Sequence, residues 1–200
     1  WKYCSAKIDI CNLALAHLGQ EPISSLTQED ERARRLNLFY EPVKAEVLRT
    51  HNWAFATVQE PLIRLEDPSA APYPYLYQYP VEALFVRQIT DPAYPGKKYP
   101  FREVFRRRLN QRAVETPAPQ AVAEYTRHVK DETQLDPAFV KAFALALASD
   151  LALALTGDNA LAKLLFNRYA ASLDEARRSN MCEELSLPGR REESAFLEVR

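Results

Sequence analysis

Glycine is scarce in this sequence: four residues in 200, each standing alone. Isolated glycines cannot build a Gly-rich phosphate loop, and GxSxG is missing as well, so the usual hardware of nucleotide-dependent and serine-hydrolase chemistry is excluded. Cysteine is equally sparse. Cys4, Cys11 and Cys182 are scattered without CxxC spacing, which argues against a disulfide framework and for a reducing compartment. On one continuous helix Cys4 and Cys11 would lie about 10 Å apart at Cα, too far to bridge. Cys11 stands among apolar neighbours and reads as a small buried hydrophobe. The three histidines, His17, His51 and His128, are far apart and show no HExxH-type spacing, so no metal site and no cofactor are expected. Net charge is also small, at −1, which excludes capture of nucleic acid by the molecule as a whole and leaves open only a local basic patch. The longest apolar run, Ala142 to Leu155, is interrupted by Asp150 and is shorter than the roughly 20 residues of a membrane span. It reads as a buried helix, with no membrane partner, and the N-terminus shows no signal-peptide pattern.

What is present is helical at both ends. Ile8, Cys11, Leu15 and Leu18 recur at three- and four-residue steps, predicting a helix over about 5–18 that Gly19 caps and Pro22 ends. A second helix is expected from Thr27 as cap, with Glu29, Asp30 and Glu31 at its positive end and Leu36, Tyr40, Val43 and Val47 as its apolar stripe, kinked at Pro42. Trp53 and Phe55 should pack back on this pair. Further on, Asp136-Pro137 is a strong helix start, and the Ala/Leu-rich stretch to Leu155 should be the central buried element, capped by Gly157. The next helix is expected from Asp158 to about Met181, with Leu161, Leu165, Tyr169 and Leu173 facing inward.

Between Pro61 and Pro119 the composition changes, because most of the 14 prolines and 10 tyrosines gather there. Alternating Tyr73, Tyr75, Tyr77 and Tyr79 predict a proline-edged strand, and Leu84–Ile89 and Ala121–Val129 are further strands, with turns at Asp91-Pro92 and Pro95-Gly96. The expected fold is therefore mainly α, in the α+β class. A helical bundle of N- and C-terminal helices (1–60 and 134–181) carries a small inserted antiparallel β region (61–133) and an extended C-terminal tail (182–200).

Chemistry is hard to find. Glu29/Asp30 and Glu183/Glu184 are adjacent carboxylates on surface-type segments, where a glycosidase pair is the less economical explanation, so no catalytic residue is assigned and the chain is read as a non-enzyme. The most pronounced charge cluster runs from 97 to 108. Lys97, Lys98, Arg102, Arg106, Arg107 and Arg108 are interleaved with aromatics there and are candidate DNA-channel residues, the competing reading being a soluble strand face or a salt-bridged subunit contact. The tyrosine run is sheet packing, a stacking platform or a protein interface.

Several blocks, in order, resemble tail tubular protein A and related head-to-tail adaptors of short-tailed phages. They are Ile8 through Gly19 with Ile23-Ser24-Ser25-Leu26; Ala33 through Tyr40 leading into Glu46-Val47-Leu48-Arg49; His51-Asn52-Trp53-Ala54-Phe55-Ala56; and Tyr77-Gln78-Tyr79-Pro80. Asp136-Pro137-Ala138-Phe139-Val140 and Leu155-Thr156-Gly157 complete the set, which covers most of residues 5–180 and departs from the family in its short middle region. The resemblance implies a virion structural protein at the head-to-tail interface, assembled in the host cytoplasm. It implies a dodecameric homo-oligomeric ring that binds the portal protein, continues the channel for DNA ejection with non-specific contact to genomic DNA, and supports the tail nozzle or tail tube. The mixed-charge tail, with Arg190, Arg191, Phe196, Leu197 and Val199, is the candidate portal-docking element. Two alternatives remain at this point: a virion-associated cell-wall hydrolase, and a nucleic-acid-binding protein acting through 97–108.

Overall fold

The computed structural model describes residues 7–66 and 72–185, with side chains in the last helix described as far as Met181. Helix α1, Lys7–His17, buries Ile10, Cys11, Ala14 and Leu15, and Gly19 at φ 67° lets Gln20 donate back to the Leu15 carbonyl. Helix α2, Glu31–Arg49, starts later than the expected cap at Thr27. Thr27 is engaged with Ser25, and the Gln28 side chain accepts from the Ser24 and Ser25 amides, so this stretch forms its own turn. Asp30 caps instead, its carboxylate accepting from the Arg32 amide. The helix continues unbroken through Pro42, which lies on the exposed face, while Leu36, Tyr40, Val43 and Val47 are buried.

Helix α3, Pro137–Thr156, starts as its sequence dictates. Asp136 Oδ1 accepts from the Ala138 and Phe139 amides at 2.8 and 3.2 Å, with Pro137 needing no partner at the first position. Replacing Asp136 by alanine should lower stability by about 1 kcal/mol, read as a reduced urea midpoint with unchanged slope. Gly157 ends the helix in the left-handed region at φ 67°. By length and composition α3 could cross a bilayer, contrary to the sequence expectation that its apolar run is too short, yet 61% of its apolar window is buried inside this fold. It packs against α1, α2 and helix α4, Asn159–Leu185, whose Leu165, Leu173 and Ala176 are buried.

Among the described residues the middle of the chain forms eight strands in two antiparallel four-stranded sheets. They are β1 Thr57–Pro61, β2 Arg64–Leu65, β3 Tyr75–Gln78, β4 Ala83–Thr90, β5 Lys98–Tyr99, β6 Arg102–Arg106, β7 Gln111–Thr116 and β8 Val122–Arg127. One sheet runs β1-β8-β4-β5 and the other β2-β3-β7-β6. Between them lies a second core, to which Val86, Ile89, Ala123 and Tyr125 come from the first sheet and Tyr77 and Val114 from the second. Tyr77 keeps its hydroxyl satisfied in that core by donating to the Ala118 and Pro119 carbonyls.

The expected architecture is thereby corrected. The chain is α+β rather than a mainly α bundle of terminal helices around a small β insert, because two full sheets enclose a core of their own. The physical reason is that non-local pairings close them: Thr57 pairs with Thr126, and Tyr75 with Thr116, so segments that look short and proline-broken in sequence become complete ladders in space. The expected extended tail, 182–200, is shortened at its start, because helix α4 continues to Leu185, and residues 186–200 lie outside the described residues.

Candidate functional site

The basic segment 97–108 lies on β5, β6 and the hairpin that leads into β7. Its six cations do not share one role. In the β6–β7 register Arg102 pairs with Glu115, and four residues on Arg106 pairs with Gln111, so all three charged side chains share one face of the sheet. Arg102 Nε donates to Glu115 Oε2 at 2.9 Å, and Arg106 donates to Glu115 Oε1. Glu115 is only 2% exposed, so these two arginines neutralise a carboxylate the sheet has buried. On the other face Arg112 stacks 3.8 Å from the Tyr79 ring centroid and donates to Glu103. Lys97 sits over the rings of Tyr94 and Tyr99. Lys98 and Arg107 are exposed and make no ion pair among the described residues, and Arg108 is exposed beside them. The candidate DNA-channel residues thus divide into structural cations, Arg102 and Arg106, and outward ones at the turns.

A second constellation joins the helices to the sheets. Arg87 on β4 reaches back to the carbonyls that end α2, donating to Arg49 O at 3.2 Å and to His51 O. Arg177 on α4 donates to Thr50 O at 3.1 Å. Asn180, buried, accepts from the Ala54 amide and donates to the Asn52 carbonyl. Trp53, 1% exposed, fills the space beneath, its indole N–H donating to Val47 O and its ring edge-on to Phe139 at 5.2 Å. Two distant elements, β4 and α4, therefore clamp residues 49–54, and every one of these bonds uses a fixed backbone group. This arrangement transmits position, not protons.

Titratable groups elsewhere are also tied to structure. Lys44, 1% exposed, donates to Glu132 at 2.9 Å, and Tyr40 donates to the same carboxylate at 3.3 Å. Burial, then nearby Glu132, raises the Tyr40 hydroxyl, and burial pushes the Cys11 thiol up to about 12, leaving both protonated. Asp30 is held down at about 2, first by the Arg32 side chain and then by the Arg32 amide, which unfits it as the general acid of a carboxylate pair. His17 is half-buried, His51 meets Trp53 and Asn180, and His128 faces Glu41 at 3.4 Å. Among the described residues no group of three or more His, Cys, Asp or Glu side chains converges as a metal site would. Arg190, Arg191, Phe196, Leu197 and Val199 lie outside the described residues.

One open groove of about 560 Å³ runs between α3 and α4, lined by Ser149, Asp150, Asn159, Ala162, Lys163 and Phe166. Burial, then the charge of Glu46, raises the Asp150 carboxyl. Sequence reasoning missed Glu115, Arg87, Asn180, Lys44 and Asp150. Only Asp150, an acid inside an apolar run, carries a visible sequence signal. No protein-family profile matches this chain, and no curated protein matches it.

Proposed function

We propose that this chain is a structural head-to-tail adaptor subunit of a tailed phage, a non-enzymatic component of the virion. It forms a dodecameric ring below the portal, continues the DNA channel and gives the tail nozzle a platform. The observation that carries this reading is where the resembling blocks fall. Ile8–Leu18 and Ala33–Arg49 supply α1 and α2, Asp136–Val140 and Leu155–Gly157 bound α3, and His51–Ala56 is the clamped junction between the two cores. The family-like residues are therefore those that hold one rigid body together, which is what a ring subunit between two larger assemblies requires. The portal, the tail nozzle and neighbouring copies are the partners of this reading.

Its biochemical test is co-sedimentation of the purified chain with purified portal rings of the same virion. A saturable complex is expected. A chain that is folded by circular dichroism and stays in the supernatant at all ratios contradicts the proposal. The nucleic-acid alternative is weakened by the commitment of Arg102 and Arg106 to Glu115, since charge spent on a buried carboxylate releases few counterions from DNA. No observation favours the hydrolase.

A further inference from the structure

Two exposed apolar surfaces of opposite charge lie in different parts of the fold. The first is the tip of the β6–β7 hairpin. Phe105 is 60% and Leu109 36% exposed, and outward Arg107 stands between them. Its shape is fixed: Leu109 N donates to Arg106 O, Asn110 N donates to Arg107 O, and Asn110 turns the chain at φ 50°. The second is the α3–α4 groove. Phe166 on its wall is 56% exposed, and Leu153, one turn beyond Asp150 on α3, is also 56% exposed. Each surface thus pairs a solvent-facing phenylalanine with an exposed leucine, and such pairs mark contact sites.

We propose that the hairpin tip of one copy seats in the α3–α4 groove of the next, with Phe105 and Leu109 on Leu153 and Phe166, and Arg107 on Asp150. The occupant is a second copy because the chain itself carries both halves of the match. The groove has Asp150 with Glu46 close by, against the single cation Lys163, whereas the tip carries only cations. An incoming guanidinium opposes both the partial burial and the Glu46 charge that raise the Asp150 carboxyl. Such a contact is heterologous, tip to groove rather than a surface to itself, and heterologous contacts close into rings when the rotation allows. The inference deepens the adaptor reading and rests on it for the ring, and it moves Arg107 from the DNA channel to the subunit boundary.

The test uses the full chain with Cys4→Ser and Cys182→Ser, Cys11 being buried. Arg107→Cys and Asp150→Cys versions are mixed and mildly oxidised, both free at high concentration and bound to portal. A disulfide-linked product is expected that needs both partners in the mixture. In sedimentation, Arg107→Asp and Asp150→Arg should each weaken self-association about tenfold, and the two together should recover most of it. Both positions are exposed, so circular dichroism should report unchanged folding, and Leu153→Ser gives a second, uncharged disruption. Absence of the mixed cross-link in both settings, or failure of the charge swap to rescue, overturns the proposal. Portal binding without the cross-link removes this contact and leaves the adaptor reading standing, whereas the cross-link without portal binding does the reverse.

Discussion

Truncating Glu132 to alanine is expected to cost about 3–5 kcal/mol of folding stability, because it strands a buried charge. Lys44 is 1% exposed, and its ammonium is 2.9 Å from Glu132 Oε1, across 88 positions of sequence. Tyr40 would lose its acceptor at the same time. The loss should appear as a large fall in the urea midpoint. The pair itself is a different matter, since removing two charges from water costs nearly what their attraction returns. Lys44→Met combined with Glu132→Gln should therefore recover most of the stability, and a double variant as unstable as the single one would show that the site needs its charges for more than mutual neutrality.

Replacing Trp53 by alanine carries a similar expected cost, about 3–5 kcal/mol, through the cavity it leaves. Its ring touches Phe139, Phe55 and His51, and its N–H closes the Val47 carbonyl, so both packing and a buried hydrogen bond go together. Trp53→Phe should lie between the wild type and the alanine variant, retaining part of the edge-on packing and losing the indole bond, while the Val47 carbonyl keeps its Thr50 amide and hydroxyl donors. Because Trp53 sits under the clamp of Arg87, Arg177 and Asn180, the alanine variant should also loosen the sheets from the helices. Hydrogen exchange would report this as faster exchange in β1 than in the middle of α3.

The helices were legible where the signal is local. Asp136-Pro137 and Gly157 bound α3 because a capping carboxylate, a proline that needs no partner and a left-handed glycine act within a few residues. The start of α2 was misread at Thr27, since several neighbouring residues can cap and the choice between them depends on which side chains the preceding turn consumes. The two sheets were legible only in part. Strands such as Arg64–Leu65 and Lys98–Tyr99 are too short to show a period, and the pairing of β1 with β8 joins residues nearly seventy positions apart.

The candidate sites fared differently again. The cation cluster at 97–108 is plain in the sequence, but nothing local reveals that Glu115 claims two of its arginines, because Glu115 becomes their neighbour only through the β6–β7 register. Lys44 and Glu132 are hidden for the same reason. Each looks like an ordinary surface charge until α2 and the segment before α3 come together.

Imaging of purified portal rings mixed with this chain tests the central claim most directly. The adaptor reading predicts a coaxial ring of added density on one face of the portal, with one copy of this chain per position around the ring and an open central channel. Portal particles unchanged by a folded, saturating excess of the chain, or density bound without rotational order, would contradict it.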